Sequence, residues 1–178
     1  MKRRNVTIAV LVLIIPILML IERGPWSSAA IANYNHGYGT FDIKSYTPDI
    51  VYQVLGQMEA KGFDIYNKYF ILDNVFTVIF CILQLLLQSY AFQWSKSKLL
   101  SRVLFLVPVV RMLLDMTENA ALYYILKEYP QRLDTLVSFS SVVTKIKLIL
   151  VGLWSLILIA GFIILIVKRF YSVKKALQ

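Results

Sequence analysis

The chain has 178 residues, 58% of them hydrophobic and 16% charged, with a mean hydropathy of +0.66 and a formal charge of +9 at pH 7. That length suits one domain, and that hydropathy lies outside the range of soluble globular domains. The charge does not point to nucleic acid, because Lys2, Arg3, Arg4, Lys96, Lys98, Arg102, Lys168, Arg169, Lys174 and Lys175 all flank apolar runs, with no acid among them and no soluble basic module to carry them.

Four runs of membrane length lead to an all-α fold: one membrane domain over 1-178, a four-transmembrane-helix bundle with spans at about 6-22, 67-93, 103-126 and 136-167. The basic flanks alternate to one side, so both termini are expected in the cytoplasm and residues 23-66 form an extracytoplasmic loop. The same flanks would attract anionic lipid head groups.

Met1-Lys-Arg-Arg followed by Val6 to Ile21 has the outline of a signal peptide. Glu22, Arg23 and Pro25 intervene before the small residues Ser27 to Ala30, so an uncleaved first span, kinked at Pro16, is expected. The Asn5-Val6-Thr7 sequon sits at the cytoplasmic edge and reads as chance. The loop passes through Gly24-Pro25-Trp26 and a turn-rich Asn33 to Gly39. Its lone His36 has no His or Cys cluster around it and reads as a loop residue, not a metal ligand. Thr47-Pro48-Asp49 then marks a helix start, with Thr as N-cap and Pro at the first position. Ile50, Val51, Val54, Leu55 and Met58 share one face, and Gly62 is the expected C-cap of this short amphipathic helix.

The second span opens on Tyr66 and Tyr69 and closes on Tyr90, Phe92 and Trp94, with Asp73, Asn74 and Thr77 near its outer end. Ser95 to Arg102 is a basic turn, and Lys127 to Asp134 is an outer turn containing Tyr129-Pro130. The fourth span carries Thr144, Lys145 and Lys147 in its outer part; Gly152 and Gly161 offer close approach but lack a Gly-x-x-x-Gly spacing. Cys81 lies in an apolar run; a single cysteine rules out an internal disulfide and any dithiol chemistry.

The third span holds the anomaly. Arg111, Asp115, Glu118 and Asn119 recur at helical spacing and form one polar stripe in an apolar run. Three ionisable groups cost roughly 8 to 10 kcal/mol in hydrocarbon, against roughly 4 to 7 returned by the apolar neighbours. The stripe must therefore face protein or water. At about 1.5 Å per residue, Asp115 and Glu118 lie past the midplane, near the depth of Asp73 and Asn74 from the second span. Lys145 or Lys147 reaches the same layer from the fourth span, and Arg111 can pair with Asp115 one turn away.

Two functions follow from such a layer. One is a non-enzymatic binding or scaffold protein whose acidic polar layer seats a lipid or a cationic, amphipathic small molecule. The other is a membrane-embedded acid/base enzyme or proton-coupled carrier using Asp115 and Glu118, with Asp73 and Asn119 orienting the ligand. No phosphate loop, Gly-x-Ser-x-Gly or His-Glu-x-x-His motif is present, and no cofactor or metal is implied.

Ser45-Tyr46-Thr47-Pro48, Gly62 before an aromatic stretch, Leu72-Asp73-x-x-Phe76 and Leu114-Asp115-x-x-Glu118-Asn119 occur in this order. Over roughly residues 40-168 the chain resembles a group of uncharacterised four-helix bacterial integral membrane proteins with a D-x-x-E-N third helix. The resemblance implies a four-span fold in a bacterial cytoplasmic membrane and adds weight to Asp73, Asp115, Glu118 and Asn119, without implying an activity. The chain departs from the pattern after Gly62, where Phe63-Asp64-Ile65 stands in place of a basic residue. A looser likeness, of architecture alone, is to four-helix sterol-isomerase-like membrane proteins, from which this chain differs in having no histidine inside a span.

Overall fold

A computed structural model of the chain describes residues 3–176, of which 3–7 and 171–176 are described as helical backbone alone. Lys2, part of the predicted basic start, lies outside the described residues. The described residues fold into six helices: α1 (Arg3–Arg23), α2 (Ser28–Ala32), α3 (Pro48–Gly56), α4 (Ala60–Ala91), α5 (Lys98–Glu128) and α6 (Asp134–Ala176). Among the described residues there is no strand. Ile8–Ala32, Ala60–Ala91 and Asp134–Phe170 are long and apolar enough to cross a membrane. The 31-residue α5 is long enough too, but Arg111, Asp115 and Glu118 break its apolar run. Helix α4 packs against α1, α5 and α6, and α5 packs along α6.

Local chemistry sets the helix ends. Ser27, Thr47 and Ser97 sit in extended backbone and accept from the amides of Ala30, Ile50 and Leu100, each filling one orphan donor at a helix start. Pro48 follows Thr47 at a position where its missing N–H costs nothing. Two sequence expectations change here. Helix α3 ends at Gly56 with Gln57 as its cap, so Gly62 is not a C-cap. Helix α4 begins at Ala60, before the expected start at 67, and Gly62 lies in its first turn. There a Cβ would stand 2.8 Å from both Met58 Cγ and Tyr34 Cβ, which leaves room only for glycine. Gly161 likewise lets the Phe92 ring approach, whereas Gly152 faces open space and brings no helix closer.

The long helices are built with an inverted pattern. Their exposed faces carry Ile71, Val75, Val78 and Ile82 on α4, Phe105, Leu106 and Leu113 on α5, and Ile149, Leu153 and Leu156 on α6. The faces turned inward carry Asp73, Thr77, Gln84 and Gln88 on α4, Arg111, Asp115, Glu118 and Asn119 on α5, and Ser140, Ser141, Thr144 and Lys147 on α6. The members of each set fall within one helical face, at separations of one, three, four or seven residues, so each is one stripe down its helix. With hydrocarbon outside, apolar surface gains nothing by burial, and polar groups must find partners within the protein.

Pro108 shows how strict that requirement is. A proline inside a helix leaves the carbonyl four residues earlier without its amide. That carbonyl belongs to Leu104, and Gln88 Nε2 from α4 donates to it at 2.5 Å. Trp154 Nε1 from α6 donates to Gln88 Oε1 at 3.1 Å. Two neighbouring helices thus repair the break in the third.

Residues 24–59, with the adjoining helix ends, form a cap of the opposite kind. Val51, Val54, Leu55 and Met58 point inward with Ile31, Phe41, Tyr46, Tyr66, Tyr69, Phe70, Leu122 and Ile125, a continuous apolar and aromatic core. Ile50, expected on the buried face of α3, is exposed at its edge. Tyr66 stacks between Phe41 and Phe70, and its hydroxyl accepts from the Phe41 amide at 2.9 Å. The turn before it needs glycine at Gly37 and Gly39, both with φ near +80°, and Asn35 brackets the second through two hydrogen bonds. His36 is exposed on this turn.

Candidate functional site

The polar stripes of α4, α5 and α6 meet directly beneath the cap. Asp115 is the hub. Its Oδ1 accepts from Lys147 Nζ at 2.6 Å, and its Oδ2 accepts from the Thr77 hydroxyl and the Arg111 guanidinium. Lys147 also pairs with Glu118 Oε2, while the Thr144 hydroxyl donates to Glu118 Oε1 at 2.5 Å. The Arg111 guanidinium lies 5.0 Å from the centre of the Phe80 ring, and its Nε and Nη1 have no hydrogen-bond partner. Every member is buried, Glu118 completely.

A second group lies one turn toward the cap. Asn119 Nδ2 donates to Asp73 Oδ2 at 2.7 Å and stands 3.4 Å from Asn74 Oδ1. Asn74 Nδ2 donates to the Phe70 carbonyl at 2.8 Å. On the same face of α4, the Tyr69 hydroxyl donates to Asp42 Oδ2 at 2.7 Å, which brings a loop carboxylate in above Asp73. The cluster thus holds four buried carboxyl groups, on Asp42, Asp73, Asp115 and Glu118, against the two buried cations of Arg111 and Lys147. Like charges at this density, away from water, demand a proton or a further cation.

Of the sequence-predicted residues, Asp73, Arg111, Asp115, Glu118, Asn119 and Lys147 come together, and Asn74 sits half-buried at their edge. Lys145 does not join them. It is exposed, because a step of two residues turns a helical side chain about 200° from Lys147. Thr77, Thr144, Asp42 and Tyr46 belong to the cluster and were not among the predicted residues. The Ser140, Ser141, Thr144 and Lys147 spacing on α6 is a polar stripe visible in sequence; nothing local marks Asp42.

Tyr46 ties the cap to the cluster. Its hydroxyl donates to Ser140 Oγ at 2.8 Å and lies 3.2 Å from Thr144 Oγ1, and its carbonyl accepts from Ser141 Oγ at 2.7 Å. Burial pushes the Tyr46 hydroxyl up to about 12, with the Glu118 charge adding to the rise against the lowering effect of its bonds to Ser140 and Thr144. It stays a neutral donor at every physiological pH.

One groove reaches this layer from the side. It has a volume of about 570 Å³ and lies between α4 and α5, with Asn67 and Lys68 at the cap end, Ile71, Met116, Ala120 and Tyr123 along its walls, and Asn74 and Asn119 at its base. Among the described residues, no group of three or more His, Cys, Asp or Glu side chains is placed to hold a metal ion.

An all-helical chain with three helices able to cross a membrane, and ionised groups turned inward between its helices, is an integral membrane protein. No family model matches the chain, and neither a curated protein nor a solved structure matches it.

Proposed function

We propose that this protein is a four-span binding protein of a bacterial cytoplasmic membrane, with both termini in the cytoplasm and α3 in the extracytoplasmic cap. Its acidic layer seats a lipid or an amphipathic cation. The observation that carries the reading is the excess of buried carboxyl groups, Asp42, Asp73, Asp115 and Glu118, over Arg111 and Lys147. A purely structural ion network tends toward neutrality, because each uncompensated buried charge costs several kcal/mol. The groove ending at Asn119, whose amide holds Asp73, gives the layer a route to the bilayer. The basic flanks Lys96, Lys98, Arg102, Lys168 and Arg169 support the orientation, and the D-x-x-E-N resemblance fits the same architecture.

The test is saturation binding of dodecylamine to the purified protein in phosphatidylcholine nanodiscs. Wild-type protein binds it stoichiometrically above the lipid background, and Asp73→Asn weakens binding at least about tenfold. Binding indistinguishable from empty nanodiscs rejects the reading.

A second reading, proton-coupled transport with Asp115 and Glu118 as the acid/base pair, draws on one further observation. Buried polar side chains continue down α4 from Asp73 through Thr77 and Gln84 to Gln88, a path of about 22 Å at 1.5 Å per residue. Proteoliposomes loaded with a pH-sensitive dye separate the two: proton flux abolished by Glu118→Gln supports the carrier, and no flux above protein-free liposomes removes it.

A further inference from the structure

The base of the α4/α5 groove presents an unpartnered hydrogen-bond acceptor, Asn119 Oδ1. Both Asn119 and Asn74 line it. Asn119 Nδ2 is committed to the Asp73 carboxylate, and Asn74 Nδ2 to the Phe70 carbonyl. Neither amide can be reversed without setting an oxygen against an oxygen. What remains for an occupant is the unpartnered Asn119 Oδ1, beside Asn74 Oδ1, which accepts one long bond of 3.4 Å from Asn119 Nδ2. Asn119 is 99% buried, and its Oδ1 has no partner. A buried acceptor left without a partner is costly, so the site is completed by a ligand that donates. The charge behind it is negative, with Asp73 bonded directly to Asn119. At the other end of the groove stands Lys68, whose ammonium spends one of its three donors on Asp64 at 2.7 Å. Ile71 and Met116 on the walls are exposed and apolar.

We infer that this groove binds a bilayer phospholipid with an ethanolamine head group. The primary ammonium donates to Asn119 Oδ1 and Asn74 Oδ1 in the field of Asp73, the phosphate lies toward Lys68 and Asn67, and the acyl chains leave past Ile71 and Met116. A choline head group carries the same charge without an N–H, so it leaves Asn119 Oδ1 unpartnered. A head group ending in an acid meets acceptors and negative charge together. The inference rests on the reading of the acidic layer as a ligand seat, and adds to it the entry route and the chemical class.

The experiment reconstitutes the protein in equal parts of phosphatidylethanolamine and phosphatidylcholine with matched acyl chains, then counts retained lipid by native mass spectrometry after mild extraction. Wild-type protein retains the ethanolamine lipid about tenfold over the choline lipid, with the N,N-dimethyl head group between them. Ala120→Trp fills the groove from an exposed wall position, leaves the buried layer untouched and brings the ratio to parity. Equal retention by the wild type overturns the inference, as does a preference that survives Ala120→Trp. Dodecylamine binding, measured on the same preparations, separates this failure from that of the broader reading. If the amine still binds in an Asp73-dependent way, the layer is a seat and the groove is not its door; if it does not bind, both readings fall.

Discussion

The cap and the membrane body of this protein solve the same packing problem with opposite materials. In the cap, Phe41, Tyr66, Phe70, Leu55 and Leu122 fill the interior, and polar side chains such as His36, Lys44, Ser45 and Asp49 lie at the surface. In the body, leucine, isoleucine and phenylalanine cover the outside, while Asp73, Asp115, Glu118, Lys147 and Gln88 fill the inside. The difference follows from the solvent on each side. Water drives apolar groups together, whereas lipid leaves them indifferent and makes an unpaired polar group costly. Stability in the cap should therefore track apolar volume, and stability in the body should track hydrogen bonds and charge balance.

That contrast can be broken by substitution. The largest effect is expected at Lys147. Replacing it with Met leaves Asp115 and Glu118 facing each other without their shared cation, at a cost of about 3–5 kcal/mol. Adding Glu118→Gln to Lys147→Met should recover part of that loss in a double-mutant cycle measured by SDS titration; independent, additive losses would deny the pairing. In the cap, Leu55→Ala should cost about 2–4 kcal/mol by the same assay, through the volume it removes. Ile149→Ala, on the exposed face of α6, should cost well under that, because lipid refills the space. Equal losses at the two positions would remove the distinction between the regions.

A smaller effect tests the repair at Pro108. Gln88→Leu strands the Leu104 carbonyl and the Trp154 indole, and should destabilise by about 1 kcal/mol, in the range of single hydrogen bonds within membranes. Pro108→Ala should make Gln88→Leu less costly, since the helix then satisfies its own carbonyl.

The smallest effect sits at the junction of the two regions. Tyr46 titrates at about 12 when folded, against an ordinary value of 10.0 when unfolded. A raised folded pKa favours the neutral form. Its contribution to stability is full below pH 10 and is lost as the pH climbs from 10 to 12. Tyr46→Phe should flatten the alkaline fall in thermal midpoint over that window; an unchanged fall would place its cause elsewhere.

Much of the body is legible from the sequence for a physical reason. The 3- and 4-residue spacing of Arg111, Asp115, Glu118 and Asn119 is a property of one helix, so one stripe can be read without knowing its neighbours. Asp73 follows from depth, because both helices are measured against the same membrane. Depth alone cannot separate Lys145 from Lys147. They differ by about 3 Å in height and about 200° in direction, and only the direction decides which is buried. The cap is less legible. Asp42 and Tyr46 reach the cluster through a loop whose path depends on Gly37, Gly39 and the Tyr66 hydroxyl, and no periodicity encodes that path. The early start of α4 is not legible because Gly62 reads as the end of the preceding helix, whereas it is a close-packing position inside the next one.

On the proposed reading, Asp73 is retained for a ligand rather than for the fold. The most direct measurement is the thermal midpoint of Asp73→Asn, with and without dodecylamine. The free variant should melt at or above the wild-type midpoint, because one excess buried acid is gone, and the amine should no longer raise it. A variant that melts several degrees lower while keeping the full amine-induced rise would make Asp73 a structural residue and not part of a ligand seat.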